Sequence, residues 1–172
     1  ILALALMVTL CDQISANVFK DGFERLRPSR ESVNEGLLNI INGYRGGMYG
    51  FVSSHATNSF GLAVLTSLLF RYRWYTVFIV FWAVLNSYSR VYMGVHYPGD
   101  ILGGLILGAL IGWFVYWLYK KVSVYFIPLH DEMPPFGEKR PFSPQSVRYV
   151  IITGLVTILT ILISSNILLE LM

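Results

Sequence analysis

Charge is scarce in this sequence. Of 172 residues only 13% are charged, while 55% are hydrophobic and 15% aromatic, and the mean hydropathy is +0.57. A water-soluble globular domain carries about 25% charged residues, so the composition points away from that class and to a membrane protein. Cysteine is nearly absent, since Cys11 stands alone inside an apolar run. That excludes an internal disulfide and a cysteine-based metal site, and leaves Cys11 as a small core side chain. A concentrated basic face is missing too. The net charge of +3 and pI near 9.0 come from Lys and Arg dispersed among apolar stretches, which argues against a nucleic-acid partner. The run ILALALMVTLC, which opens on Ile1 without a charged n-region or an A-x-A-like site, is not expected to be a signal peptide. This abrupt start is expected to be the trimmed end of a longer chain.

What is present is long apolar runs. A spanning helix needs about 20 mostly apolar residues, and such runs occur near 1–18, 52–70, 75–93, 100–119 and 149–169. The chain therefore reads as an all-α, polytopic transmembrane helical bundle with about five spans. Its divisions are expected at 1–121 for a core, 122–146 for a cytoplasmic proline-rich linker and 147–172 for an additional C-terminal transmembrane helix. The short turn Arg71-Tyr72-Arg73-Trp74 is basic and flanked by aromatics, which marks the cytoplasmic side. Lys120 and Lys121 fall on the same side two crossings later. By alternation, residues 19–50 and 90–100 lie outside. Seven Lys/Arg then fall inside (Arg71, Arg73, Lys120, Lys121, Lys139, Arg140, Arg148) and six outside (Lys20, Arg25, Arg27, Arg30, Arg45, Arg90). So weak a positive-inside bias means that some outer cations have another task.

Gly104, Gly108 and Gly112 recur at four-residue spacing, a stripe that lets another helix approach closely. Pro128, Pro134, Pro135, Pro141 and Pro144 break any regular helix in the linker. His130 lies there without chemical neighbours.

Three polar clusters stand at the outer ends of spans: Lys20 to Pro28, Val52 to His55, and Ser89 to Asp100. In the third, Pro98 suits the first position of a helix. Asp100 is then the third helical residue, able to reach back in the manner of a capping-box acid, and His96 precedes the cap. A carboxylate on one ring nitrogen leaves the other free as a nucleophile; equally, Asp100 can simply stabilise a helix start beside an interfacial histidine. In the second cluster, Ser53, Ser54 and His55 put hydroxyls, free N–H groups and an imidazole at a helix start, where anions bind. An N-cap serine beside an ordinary histidine is the plainer alternative. Lys20 and Arg27, seven apart, could share a helical face, and Arg90 adds a third cation. Together they suit the spread charge of a phosphoryl-transfer transition state, or they contact lipid headgroups.

Taken jointly, the order Lys-x6-Arg-Pro, then Ser-x-His, then Ser-Arg-x5-His-x3-Asp resembles the type 2 phosphatidic acid phosphatase superfamily, which shares its site with vanadium-dependent haloperoxidases. The resemblance runs from about Ile1 to Lys121. It implies a six-span bundle of which this chain holds the last four plus one more. It also implies that His96 attacks phosphorus to form a phosphohistidine, that Asp100 orients it, and that His55 protonates the leaving group and then activates water. Lys20, Arg27 and Arg90 would hold the phosphoryl oxygens, with Ser53 and the Ser54 N–H assisting, and with no metal or other cofactor. The family's second motif usually reads Pro-Ser-Gly-His, whereas this chain reads Val52-Ser53-Ser54-His55.

Tyr49, Tyr88, Tyr92 and Tyr97 ring the site with side chains suited to the headgroup zone, so the expected substrate is a lipid phosphate. Undecaprenyl diphosphate, phosphatidic acid, phosphatidylglycerophosphate and lipid A phosphates are the candidates. The expected location is a bacterial inner (plasma) membrane, with the site on the periplasmic or extracellular side. Two other functions compete: a vanadate-holding haloperoxidase, and a non-catalytic lipid-phosphate binder or transporter. For the last, Asp12 is the one ionisable residue deep in a span.

Overall fold

The structure is a computed structural model that describes residues 1–34, 36, 43–126 and 143–170, the side chains of 124–126 and 161–170 excepted. Among the described residues the regular elements are helices, with one isolated bridge between Leu26 and Tyr49. The proline-rich segment and His130 lie outside them.

Helix α1 spans Leu2–Gln13 and continues through a π-helical stretch, Ile14–Lys20, into the short α2, Asp21–Phe23. It stops where Glu24 turns left-handed, with φ 48°. The central helix α3 spans Ser54–Phe70, with Ser53 as its N-cap in extended conformation. The Ser53 hydroxyl accepts from the Ala56 N–H at 3.4 Å, meeting one of the first-turn donors that a helix leaves without a partner. Arg71, with φ 51°, closes it. Helix α4 spans Arg73–Tyr92 and α5 spans Pro98–Phe126. The 29 residues of α5 rise about 43 Å at 1.5 Å each, more than the roughly 30 Å hydrocarbon core of a bilayer. The helix therefore runs past Lys120 and Lys121, where sequence alone ends the span. Helix α6 spans Pro144–Glu170.

The glycine stripe on α5 fixes the bundle. A Cβ at Gly104 would meet Ser53 O at 2.7 Å, one at Gly112 would meet Gly61 O at 2.5 Å, and one at Gly108 would collide with Thr57 O. Each contact pairs positions four apart on both helices, so α3 and α5 run parallel with backbones touching, and their N-termini lie at one end. Gly61 does the same for α1: a Cβ there would meet Met7 Sδ at 2.9 Å and Cys11 Sγ at 3.0 Å. Cys11 is buried with Met7, Leu65, Ile111 and Val115, the core role expected of it. Ala56, Phe60 and Ala63 of α3 pack with Tyr75, Ile79 and Ala83 of α4, and Val147 of α6 joins them.

The outward faces are apolar as well. Val77, Phe81, Val84 and Leu85 on α4, Leu102, Ile106, Leu110 and Trp113 on α5, and Ile152, Leu155 and Leu159 on α6 are all exposed. Stripes of this extent are rarely left to water; lipid accounts for them. The continuous helix Leu2–Phe23 and the stretch Pro98–Ser123 are each long and apolar enough to cross a membrane.

Candidate active site

Parallel packing of α3 and α5 brings two helix starts to the same end, and the chain ends of α1 and α4 meet them there. The three polar clusters thus converge. Asp100, third residue of α5, accepts the backbone N–H of Tyr97 on Oδ2 at 2.9 Å, the reach-back that its spacing predicts. The same oxygen lies 3.3 Å from His96 Nδ1. Both side chains are buried, at 1% and 0% exposure. On the other side of the ring, Arg27 Nη1 lies 2.9 Å from His96 Nε2. A guanidinium can only donate, so Nε2 is the acceptor, and the ring proton belongs on Nδ1 facing the carboxylate. His96 is thereby neutral, with its Nε2 lone pair directed at the cationic side of the site.

Arg27 is itself held in place: its Nε donates to Tyr49 O at 3.1 Å and its Nη1 to Val95 O at 3.2 Å. It does not share a helical face with Lys20, as their seven-residue spacing suggests. The left-handed Glu24 ends the helix between them, and Gly50 N donating to Arg25 O at 2.8 Å ties the following strand-like turn to residues 49–50. The two cations approach from different elements. Lys20 Nζ donates to Ser54 Oγ at 2.7 Å, and Ser15 Oγ donates to the same hydroxyl at 2.8 Å.

Ser53 and Ser54 divide their work. The Ser53 side chain is buried at 0% exposure and caps α3, while its N–H donates to Asp100 O at 3.1 Å. The plainer reading of this serine is the one its geometry matches. Ser54 stands where glycine is usual, in the first turn of α3 and not among the left-handed non-glycine residues, which are Glu24 and Arg71. Its N–H and that of His55 are among the donors that a helix start leaves without intrahelical acceptors. His55 lies within electrostatic reach of Arg90, His96, Arg27 and Lys20. The Nε of Arg90 is buried with no hydrogen-bond partner among the described residues, a donor suited to an anion.

Burial lowers the His96 pKa below its ordinary 6.5; the hydrogen bond to Asp100 opposes this, and the charge of Arg27 adds to the lowering. Sequence reasoning missed Arg25, which lies over the Tyr97 ring at 4.6 Å. Its Nη1 is 3.3 Å from Asp100 Oδ1, an ion pair without hydrogen-bond geometry. Nothing in the spacing distinguishes Arg25 from the other loop arginines. The loop is pinned by Tyr97 OH, which donates to Glu31 at 2.8 Å and accepts from Asn34 at 3.0 Å. Tyr88 and Tyr92 are exposed beside the site.

A buried histidine between a carboxylate and a guanidinium, joined by a lysine, a second histidine and open helix-start amides, is an anion-binding and nucleophilic arrangement. The family model of the PAP2 superfamily matches residues 1–123, and the chain belongs to that superfamily. It is 42% identical over 166 residues to a lipid A 4'-phosphatase of Bacteroides thetaiotaomicron, covering 96% of this chain and 72% of that one. A lipid A 4'-phosphatase of Porphyromonas gingivalis is 44% identical over 117 residues, covering 68% of this chain and 50% of its own length. An undecaprenyl-diphosphatase of Bacillus subtilis is 34% identical over 79 residues, 46% of this chain and 39% of its own. No solved structure matches the chain.

Proposed function

We propose that this chain hydrolyses a lipid phosphate through a phosphohistidine on His96, without a metal, at the outer face of a bacterial plasma membrane. The phosphatase class rests on the superfamily and on the three relatives above, named as two lipid A 4'-phosphatases and an undecaprenyl-diphosphatase. Among lipids, a lipid A phosphate has the strongest support, because both long matches carry that name. The observation that carries the mechanism is the placement of His96 with Nδ1 at 3.3 Å from Asp100 Oδ2 and Nε2 at 2.9 Å from the Arg27 guanidinium, which assigns the proton to Nδ1 and the lone pair to Nε2.

In the first step Nε2 attacks phosphorus and the bond from phosphorus to the lipid oxygen breaks. The leaving alkoxide takes a proton from His55. Arg27, Lys20 and Arg90 hold the phosphoryl oxygens together with the Ser54 hydroxyl and the first amides of α3, and Ser53 contributes by fixing that helix start. Arg27 exchanges Nε2 for a phosphoryl oxygen as substrate enters. In the second step His55, now neutral, takes a proton from water as it attacks phosphorus, and Nε2 is released with inorganic phosphate. Lysine, arginine and amide donors supply the stabilisation of phosphoryl charge that a divalent cation supplies elsewhere.

The test is phosphate release from a panel of lipid phosphates in detergent with EDTA, comparing the intact chain with His96→Ala. Release that survives EDTA and falls by three orders of magnitude or more in the variant is expected, since losing a nucleophile leaves only binding and charge stabilisation (about 10³–10⁴ over water). A strict Mg²⁺ requirement, or undiminished release by His96→Ala, contradicts the proposal. His55→Ala should slow poor leaving groups far more than good ones, because a good leaving group needs less protonation.

A further inference from the structure

The sequence singles out Asp12 as an ionisable residue within an apolar span, and the phosphoryl site leaves it unused. The structure gives it surroundings. Beside His55, a cleft of about 280 Å³ opens between α1, α3 and α4, lined on its polar side by Asp12, Ser54, His55, Asn58, Ser59 and Asn86. Val8, Leu62 and Trp82 line the rest. All three helices grade in the same direction. Along α3, Asn58 lies about one turn and Leu62 about two turns below Ser54. On α1, Val8 lies one turn further from Lys20 than Asp12, and on α4, Trp82 lies one turn further from Arg90 than Asn86. The cleft is hydrophilic next to His55 and apolar deeper in.

Its polar groups are organised for a ligand. Asn58 Nδ2 donates to Asp12 Oδ1 at 2.7 Å, and Asn86 Nδ2 donates to Ser59 Oγ at 2.6 Å. Asn58 Oδ1 is buried with no partner among the described residues, and the second Asp12 oxygen makes no hydrogen bond there either. The Asp12 side chain is exposed, and its second oxygen is left to accept from a hydroxyl or N–H donor. A carboxylate there repels phosphate.

We infer that this cleft is the leaving-group subsite and that Asp12, Asn58 and Asn86 select a phosphomonoester of a sugar hydroxyl on a lipid-anchored glycan over a lipid diphosphate. The inference rests on the proposed phosphatase reading. In-line attack by His96 sends the leaving oxygen to the side of His55, and His55 lines the cleft. The leaving alcohol therefore enters it. A ring bearing hydroxyls meets Asp12, Asn58 and Asn86, with Trp82 offering an aromatic face below them. The volume is at the small end of ligand pockets (roughly 300–1,000 Å³) and suits one ring. When a diphosphate reacts, the group leaving is itself a phosphate, which would stand against Asp12.

The experiment compares the intact chain with Asp12→Asn and Asn86→Ala. The readout is kcat/KM in detergent with EDTA for lipid A, phosphatidic acid and undecaprenyl diphosphate. In both variants the ratio of lipid A to phosphatidic acid is expected to fall about tenfold or more, the value of roughly one net hydrogen bond. In Asp12→Asn the ratio of undecaprenyl diphosphate to phosphatidic acid is expected to rise. Unchanged ratios, or equal losses on all three lipids, would overturn the subsite. Should Asp12→Asn lose its thermal unfolding transition, Asn86→Ala on the opposite wall carries the test. An intact chain that releases phosphate from none of the lipids would instead bring down the phosphatase reading itself.

Discussion

His96 has two ring nitrogens and two different neighbours, and that asymmetry has consequences for pH. Its pKa is below the ordinary 6.5 because burial, assisted by Arg27, outweighs Asp100. The free base needed for attack is thus present at neutral pH, and the acidic limb of kcat/KM for a lipid phosphomonoester is expected below pH 6.5. A limb well above that value would contradict the depressed pKa. Stability follows with the same sign. The unfolded chain takes up this proton first as pH falls, so the contribution of His96 is complete above about 6.5 and is lost as pH drops through the lower folded value. At this scale the sequence was legible where chemistry and local geometry coincide. The reach-back of Asp100 follows from Pro98 at a helix start, and both were readable. Arg25 was not, because its pairing with Asp100 depends on how the loop folds over α5.

Between elements, the bundle depends on places where side chains are missing. Gly108 abuts the Thr57 carbonyl, and a Cβ has no room there. Gly108→Ala should force α5 from α3, costing about 1–3 kcal/mol by overpacking and separating Asp100 and His96 from Ser54 and His55. A lowered thermal midpoint together with a lowered kcat checks it; an unchanged midpoint would mean that the close contact is not needed. The four-residue glycine spacing announced this contact, but not its partner, which only the shared register with Ser53, Thr57 and Gly61 reveals. The converse case is Lys20 and Arg27. Helical spacing joined them on one face, and the left-handed Glu24 separates them. Glutamate carries no signal for that conformation, whereas Gly94, with φ 67° at the end of α4, is the residue type a turn calls for.

For the molecule as a whole, the arrangement of clusters at one end makes a topological prediction. With Cys11 buried, a cysteine placed at Arg45 should react with an impermeant maleimide on intact cells, and one at Tyr72 only after permeabilisation. Labelling in the opposite order would put the site on the inner face. Composition and apolar runs made the helical bundle legible, and the resemblance read from about Ile1 to Lys121 falls within the family match over 1–123. The cleft was not legible, since it is built from Asp12, Asn58 and Asn86 on three helices whose meeting is a matter of packing. The most direct measurement is rapid-quench trapping of a labelled phosphoryl group on the His55→Ala variant, using a substrate with a good leaving group. Attack then proceeds while water activation stalls. The account predicts an acid-labile, base-stable label on the peptide containing His96, absent when His96 is also replaced by Ala. Turnover with no label at any quench time, or label that persists without His96, would contradict it.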